Sequence, residues 1–305
     1  MSRTIVEAAG RRLALSNLEK TLYPAGGFTK AHVLDYYRRA ADVILPHLQG
    51  RALTMKRYPE GVDREYFFEK RCPAHRPAWV KTAQISRRGA EGRMTVCLVD
   101  DLPTLMWVEN LASLELHVPL ARAASPDAPD FMVFDLDPGD GAGIPECARV
   151  ALILRELLAR VGLTGCAKTS GKKGLHLYVP LNRGEASFDD IKTFSRAVAE
   201  AMQKDHPDLV TARMARESRA GKVFINWSQN GSTMTMVCVY SLRAEGQPTV
   251  SFPLSWDEVK AAVRRGASGR FRITAAEALS RIEKHGDLFR EVLHMKQKLP
   301  RARHS

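Results

Sequence analysis

The 305-residue sequence has little cysteine, few aromatic residues and no long apolar run. Each shortage excludes something. No stretch approaches the roughly 18–20 consecutive apolar residues of a membrane-spanning helix. The opening MSRTIVEAAGRRLALSNLEK lacks the apolar centre of a signal peptide. Cys72, Cys97, Cys147, Cys166 and Cys238 are odd in number and scattered. That pattern predicts buried thiols in a reducing cytoplasm, not a disulfide framework. Cys72 and His75 are close in sequence, but no second pair stands at zinc-ligand spacing. Acidic residues are also short, 34 against 46 Lys and Arg, which leaves a net charge of +12. Such an excess favours a polyanionic partner over a merely solvated surface. At 45% hydrophobic content the chain has enough apolar material for a sizeable core and is not globally disordered.

Internal repeats and low-complexity linkers are absent too. TKAHVLDYYRRAADVILPHL (29–48) predicts a helix capped by Thr29. ALTMKRY (52–58), EYFFEK (65–70) and MTVCLV (94–99) read as strands, and LPTLMWVENLASLELHV (102–118) as a helix. FMVFDLD (131–137) predicts a buried strand. PECARVALILRELLARVG (145–162) has Pro at its start and Gly at its end, as a helix should. LHLYVPL (175–181) is a strand, and SFDDIKTFSRAVAEAMQKD (187–205) is a helix capped by Ser187. KVFINW (222–227) and TMVCVY (235–240) are expected to pair as strands. Short helices follow near 255–265 and 274–284, and the basic end MKQKLPRARHS is expected to fray. Several strands follow one another without a crossover helix. This predicts an α+β fold with mixed or antiparallel sheets, not a doubly wound parallel one. The expected organisation is one domain, with an α/β lobe over 1–125, a core over 126–290 and a basic tail over 291–305.

MVFDLDPGDG (132–141) sets Asp135 and Asp137 two residues apart at the end of an apolar run. Like charges so close repel, and they persist where a cation sits between them or water screens them. Alternation along a strand sends both carboxylates to one face and Phe134 and Leu136 to the other. With roots ~7 Å apart, their tips can converge on a hard cation such as Mg²⁺ or Mn²⁺. Three readings compete. An exposed acidic turn suits Asp140, but the apolar lead-in opposes it for Asp135. A phosphatase of the haloacid-dehalogenase kind is superficially similar in FDLD followed by Pro-Gly. Its motif opens a sheet, however, whereas this pair follows 134 residues and no later acidic pair lies beyond a lysine. The third reading is a two-metal site for nucleotidyl transfer.

The third is favoured by KTSGKKGLHLYVPL (168–181), where Ser170, Gly171, Lys172, Lys173 and Gly174 precede a strand carrying His176. Glycines admit backbone N–H groups to phosphate, and lysine supplies charge. His176 faces the same cleft if its strand lies beside that of Asp135. Upstream, MKRYPEGVDREYFFEKR (55–71) interleaves basic residues with Tyr58, Tyr66, Phe67 and Phe68, as single-stranded nucleic acid requires. Phe67 and Phe68 are adjacent, so one is expected in a core and one exposed; the alternative puts both in a core.

Together these blocks resemble the polymerase domain of the bacterial DNA ligase D group and its free-standing relatives, in the archaeo-eukaryotic primase superfamily. The resemblance runs from LSNLEKTLYP to SFPLSWDEV. It implies a primase-type core of mixed and antiparallel sheets with flanking helices. It also implies addition of ribo- or deoxynucleotides to double-stranded DNA ends during non-homologous end joining, with Mn²⁺ or Mg²⁺. By resemblance, Asn17, Lys20 and Lys30 form a pocket for a 5′-phosphate. Lys56 holds template or nucleotide, and Phe67 or Phe68 stacks on a template base. Asp135 and Asp137 bind metal, and Ser170, Lys173 and His176 hold the triphosphate with Arg243 nearby. The implied partners are Ku and a DNA ligase, in the cytoplasm at the nucleoid and away from any membrane.

One block departs from the pattern. Asn226 stands where the resemblance calls for a third aspartate, and it offers a neutral carbonyl oxygen in place of a charge. Two function classes follow: an active polymerase, or a module that binds ends and nucleotide but catalyses poorly.

Overall fold

Two separate cores gather the apolar residues. The computed structural model describes residues 3–86, 92–264 and 271–300, and the chain divides into two compact units. The first comprises Met1–Pro119, Thr235–Ser251 and Ile273–Asp287. The second comprises Leu120–Met234, Phe252–Arg272 and Leu288–Ser305.

In the first unit the helix Lys30–Arg39 buries Val33, Leu34, Tyr36 and Tyr37. Thr29 caps it: its side chain accepts from His32 N, while the Thr29 N–H donates to His32 Nδ1 at 2.9 Å. The expected single helix over 29–48 ends at Ala40 and resumes as Ala41–Leu48. A buried tyrosine must place its hydroxyl, and both tyrosines reach a distant segment. Tyr36 donates to Tyr240 O at 2.7 Å, and Tyr37 accepts from Leu242 N at 3.0 Å. Tyr240 has a positive φ of 64° and donates to Asp287 Oδ1 at 2.8 Å. The other oxygen of Asp287 meets His47 Nε2 at 3.0 Å. These bonds hold 235–251 and 273–287 to the N-terminal helices.

Four expectations fail here. The run 102–118 is a helix only over Leu102–Asn110. Ala112 turns the chain at φ 58°, and Ser113–Val118 is a strand whose side chains alternate. Second, 222–227 and 235–240 do not pair with each other. Met236–Val237 joins Ser113–Val118 in a four-stranded sheet with Thr54–Arg57 and Phe67–Glu69. Third, Phe67 and Phe68 are both exposed, at 45% and 54%. Their strand lies at the edge of that sheet, and neither face of it is covered there. Fourth, Cys72 and Cys97 form a disulfide. Cys72 N donates to Thr95 O at 2.8 Å, which brings the two Cα atoms to 5.0 Å. Cys147, Cys166 and Cys238 are thiols outside the disulfide. His75 lies 6.4 Å from the Trp107 ring, as centroids.

The second unit is built on a six-stranded sheet. Its order is Val210–Thr211, Val223–Asn226, Phe131–Pro138, Leu175–Pro180, Cys166–Thr169 and Pro253–Leu254. Only the first pairing is parallel, so the fold is α+β with a mixed sheet. The helix Ile144–Arg160 carries Pro145 in its first turn, and Phe188–Asp205 is capped by Ser187. Both pack on the central strand, where Phe134 and Leu136 are fully buried. The tail does not fray over its described part. Gln297 bonds Thr164 N and O, and its backbone carbonyl accepts from Asn182 N at 2.7 Å. Residues 301–305 lie outside the described residues.

Glu109, on the Leu102–Asn110 helix, is fully buried, and neither carboxyl oxygen has a hydrogen-bond partner among the described residues. Desolvation pushes its pKa well above the ordinary value. The folded state therefore keeps it neutral while the unfolded chain ionises, so its contribution to stability falls as pH rises. Glu109→Gln removes the ionisation at nearly constant shape. Thermal melts from pH 5 to 9 should show a gain of ~1 kcal/mol, or about 2–4 °C, at pH 8 and less at pH 5. An identical change at every pH would contradict this account.

Candidate active site and nucleic-acid contacts

The register of the sheet in the second unit aligns four polar residues in one cross-strand row. Lys168 lies opposite His176, His176 opposite Asp135, and Asp135 opposite Asn226. His176 Nε2 stands 3.3 Å from Asp135 Oδ1, and its Nδ1 stands 2.9 Å from Lys168 Nζ. The Asn226 amide donates to Asp135 Oδ2 at 3.3 Å and accepts from the Ser228 hydroxyl at 2.6 Å. Asp137 projects to the same face as Asp135, one residue beyond Leu136.

Both aspartates sit in low dielectric. Burial, then the charge of Asp135, raises the Asp137 carboxyl to about 7, against a smaller opposing pull from Arg219. A carboxylate pair under that strain is short of positive charge. Two carboxylates on one face suit Mg²⁺ or Mn²⁺, which are held by one or two carboxylates with substrate phosphates and water completing the shell. No group of three or more His, Cys, Asp or Glu side chains able to hold a metal occurs among the described residues.

Beside the row, Ser170 Oγ accepts from Lys172 N at 3.2 Å and from Gly174 N at 3.1 Å, which ties the Ser170–Gly174 loop into a tight turn. Gly174 is required there: a Cβ would stand 2.2 Å from Leu136 O. Lys173 is exposed on the same loop.

The first unit brings together two further groups. Lys20 N donates to Asn17 O at 3.0 Å, and Lys30 N to Lys20 O at 2.9 Å, so Asn17, Lys20 and Lys30 converge. Lys30 Nζ donates to Ser16 O at 2.7 Å, and Lys20 pairs with Glu60 at 2.7 Å. Burial, with Arg57 and Lys20 nearby, lowers Lys30 to about 8. Elsewhere in this unit, Lys56 Nζ lies 4.0 Å from the Tyr66 ring centroid and 5.6 Å from that of Phe68. Phe67 stacks instead on Arg57, at 5.1 Å. Arg243 belongs to this unit, not to the sheet of Ser170 and His176. Its guanidinium pairs with Glu115 at 3.5 Å, as Lys56 does at 3.7 Å and His117 at 2.9 Å. Burial raises the Glu115 carboxyl, but the His117 hydrogen bond and the charges of Arg243 and Lys56 overcome it and bring it to about 2.

A family model described as the primase-polymerase domain of LigD matches residues 29–289. This chain belongs to the LigD primase-polymerase family. It is 40% identical over 289 residues to the multifunctional non-homologous end joining DNA repair protein LigD of Mycobacterium tuberculosis H37Rv, covering 92% of this chain and 37% of that protein. It is 30% identical over 275 residues to the bifunctional non-homologous end joining protein LigD of Bacillus subtilis 168, covering 90% and 43%. The chain thus spans less than half the length of these relatives. Among solved structures, the polymerase domain of Mycobacterium tuberculosis Ligase D in complex with DNA matches with a TM-score of 0.86 at 39% identity, over 93% of this chain and 98% of that one.

Sequence reasoning missed three members of these clusters. Glu115 and His117 lay hidden in a run read as helix, where residues two apart face different ways; in a strand they share a face. Lys168 needed the register, since nothing local sets it opposite His176.

The acid shift of Asp137 has a sign that can be tested. A carboxyl raised from 3.8 to about 7 disfavours the ionised folded state, so metal-free stability is lost as pH rises through that window. Asp137→Asn should therefore stabilise the metal-free protein at pH 8, by on the order of 2 kcal/mol after allowing for partial solvation, and change its stability little at pH 4. Equal effects at both pH values would show that the folded state does not raise the Asp137 carboxyl.

Proposed function

We propose that this chain is a nucleotidyl transferase that adds ribo- or deoxynucleotides to DNA ends in non-homologous end joining. The observation that carries this reading is the row Lys168–His176–Asp135–Asn226 with Asp137 beside it, in a chain of the LigD primase-polymerase family. Asp135 and Asp137 would hold Mn²⁺ or Mg²⁺. When bound, such an ion supplies charge neutralisation for the triphosphate and acidifies the attacking hydroxyl. The chain's own groups bind and orient. Ser170 shapes a loop whose exposed Lys173 meets the triphosphate, and His176 offers an imidazole donor beside Asp135. Arg243 and Lys56, held with His117 by Glu115, form a second cationic group suited to phosphate. Tyr66, Phe67 and Phe68 give exposed rings for base stacking. Asn17, Lys20 and Lys30 form an anion pocket suited to a 5′-phosphate at a break. Ku and a DNA ligase are the natural partners of such an activity, and the bacterial cytoplasm, at the nucleoid, is its natural place.

A second reading has a specific observation in its favour. The Asn226 amide points its hydrogens at Asp135, where a third carboxylate would add negative charge. The chain then binds DNA ends and nucleotide but extends slowly.

Primer extension with Mn²⁺ separates the two. Asn226→Asp should raise the extension rate roughly a hundred- to thousandfold, about 3–4 kcal/mol at the transition state. Full-speed extension by the natural chain, with no gain from Asn226→Asp, would remove residue 226 from the metal chemistry. Asp137→Ala should abolish incorporation and leave DNA affinity nearly intact, because affinity rests on the basic surface.

The 5′-phosphate pocket is tested by binding. Gapped DNA with a phosphorylated downstream end should bind more tightly than the same DNA ending in 5′-OH, by roughly 2–4 kcal/mol. The Lys20→Ala, Lys30→Ala double variant should erase that difference. Equal affinity of the natural chain for both ends would refute the assignment.

A further inference from the structure

Lys168 has no place in the binding scheme above, yet it is among the most deeply buried cations of the chain, at 0% exposure. Removing an ammonium from water is costly. A position that needed only bulk would be filled by Leu or Met without that cost. Lys168 sits instead in register with His176, its Nζ 2.9 Å from Nδ1, and it lies 5.5 Å from the Tyr178 ring centroid.

Hydrogen-bond inventory then constrains the ring. A lysine ammonium has three donors and no acceptor, and a neutral imidazole has one N–H and one lone pair. If Nζ donates to Nδ1, the ring hydrogen is on Nε2. Nε2 is the atom that faces Asp135 Oδ1 at 3.3 Å, and a carboxylate can only accept. With Lys168 as the ammonium, the row runs from Lys168 to His176 and from His176 to Asp135, while the Asn226 amide donates to the other Asp135 oxygen.

We propose that Lys168 is a positioning residue, which fixes the His176 tautomer so that an Nε2–H donor is held toward Asp135 and the nucleotide site. Without that donor, the ring can rotate or place its hydrogen on Nδ1. Either change turns a lone pair toward Asp135 and loosens the carboxylate that nucleotide binding needs. The proposal rests on the nucleotidyl-transfer reading only for that last consequence.

The test is spectroscopic first. Long-range ¹H–¹⁵N spectra of the metal-free protein report which ring nitrogen carries hydrogen, and a His176→Gln spectrum identifies His176 among nine histidines. The expected result is a single Nε2–H form in the natural chain. Lys168→Gln, which keeps an N–H donor, should preserve it, and Lys168→Met should lose it. Calorimetric nucleotide binding with Mg²⁺ should weaken about tenfold in Lys168→Met and by less than about twofold in Lys168→Gln. A natural chain with hydrogen on Nδ1 overturns the proposal without any variant, so it stands or falls even if Lys168→Met does not fold. A His176 spectrum unchanged in Lys168→Met also overturns it, as does equal nucleotide binding by Met and Gln variants. The spectrum does not depend on primer extension, so an inactive chain that keeps the Nε2–H form would count against the polymerase reading alone.

Discussion

Two carboxylates on one face of one strand repel each other, and the second unit is arranged around that repulsion. Phe134 and Leu136 anchor the strand from behind, so Asp135 and Asp137 cannot turn away without emptying the core. The neighbouring strands then supply donors where each can help. His176 and Asn226 reach Asp135 from either side, and Arg219 acts on Asp137 from beyond the strand end. Burial and the charge of Asp135 leave Asp137 raised well above the ordinary carboxyl range. The mixed sheet is thus more than a support, because its register decides which side chains share the burden.

The first unit solves the opposite problem. It collects cations, and one buried carboxylate keeps them in place. Glu115 is fully enclosed and touches His117, Arg243 and Lys56. Removing it would leave three positive or polar groups without a common partner, so Glu115 organises the cluster from within. Glu109, six residues earlier, has no such company, and burial pushes its carboxyl well above the ordinary range. The contrast shows how far partners, and not burial alone, decide the charge of an enclosed acid.

Much of this was legible in the sequence, for reasons that can be named. Period-two alternation put Asp135 and Asp137 on one face, and the Ser-Gly-Lys-Lys-Gly run marked a tight loop beside His176. Caps at Thr29 and Ser187 located two helix starts. What failed depended on non-local pairing. Nothing near 102–118 says that the chain turns at Ala112 and becomes a strand. Nothing near 235–240 says that its partner is Ser113–Val118. The exposure of both Phe67 and Phe68 follows from an edge position that only the assembled sheet defines, and the Cys72–Cys97 bond from a backbone contact between Cys72 and Thr95.

Lys30 carries a consequence of a different kind. Its amine is lowered to about 8 by burial and by neighbouring cations, so near that pH a fraction of the molecules carry it unprotonated. An anion arriving in the pocket favours the charged form and draws a proton from the medium. Under the proposed function, association with a phosphorylated end would then be an acid–base event. Its measured heat would depend on the ionisation enthalpy of the buffer, and two laboratories using HEPES and Tris would obtain different enthalpies for the same complex.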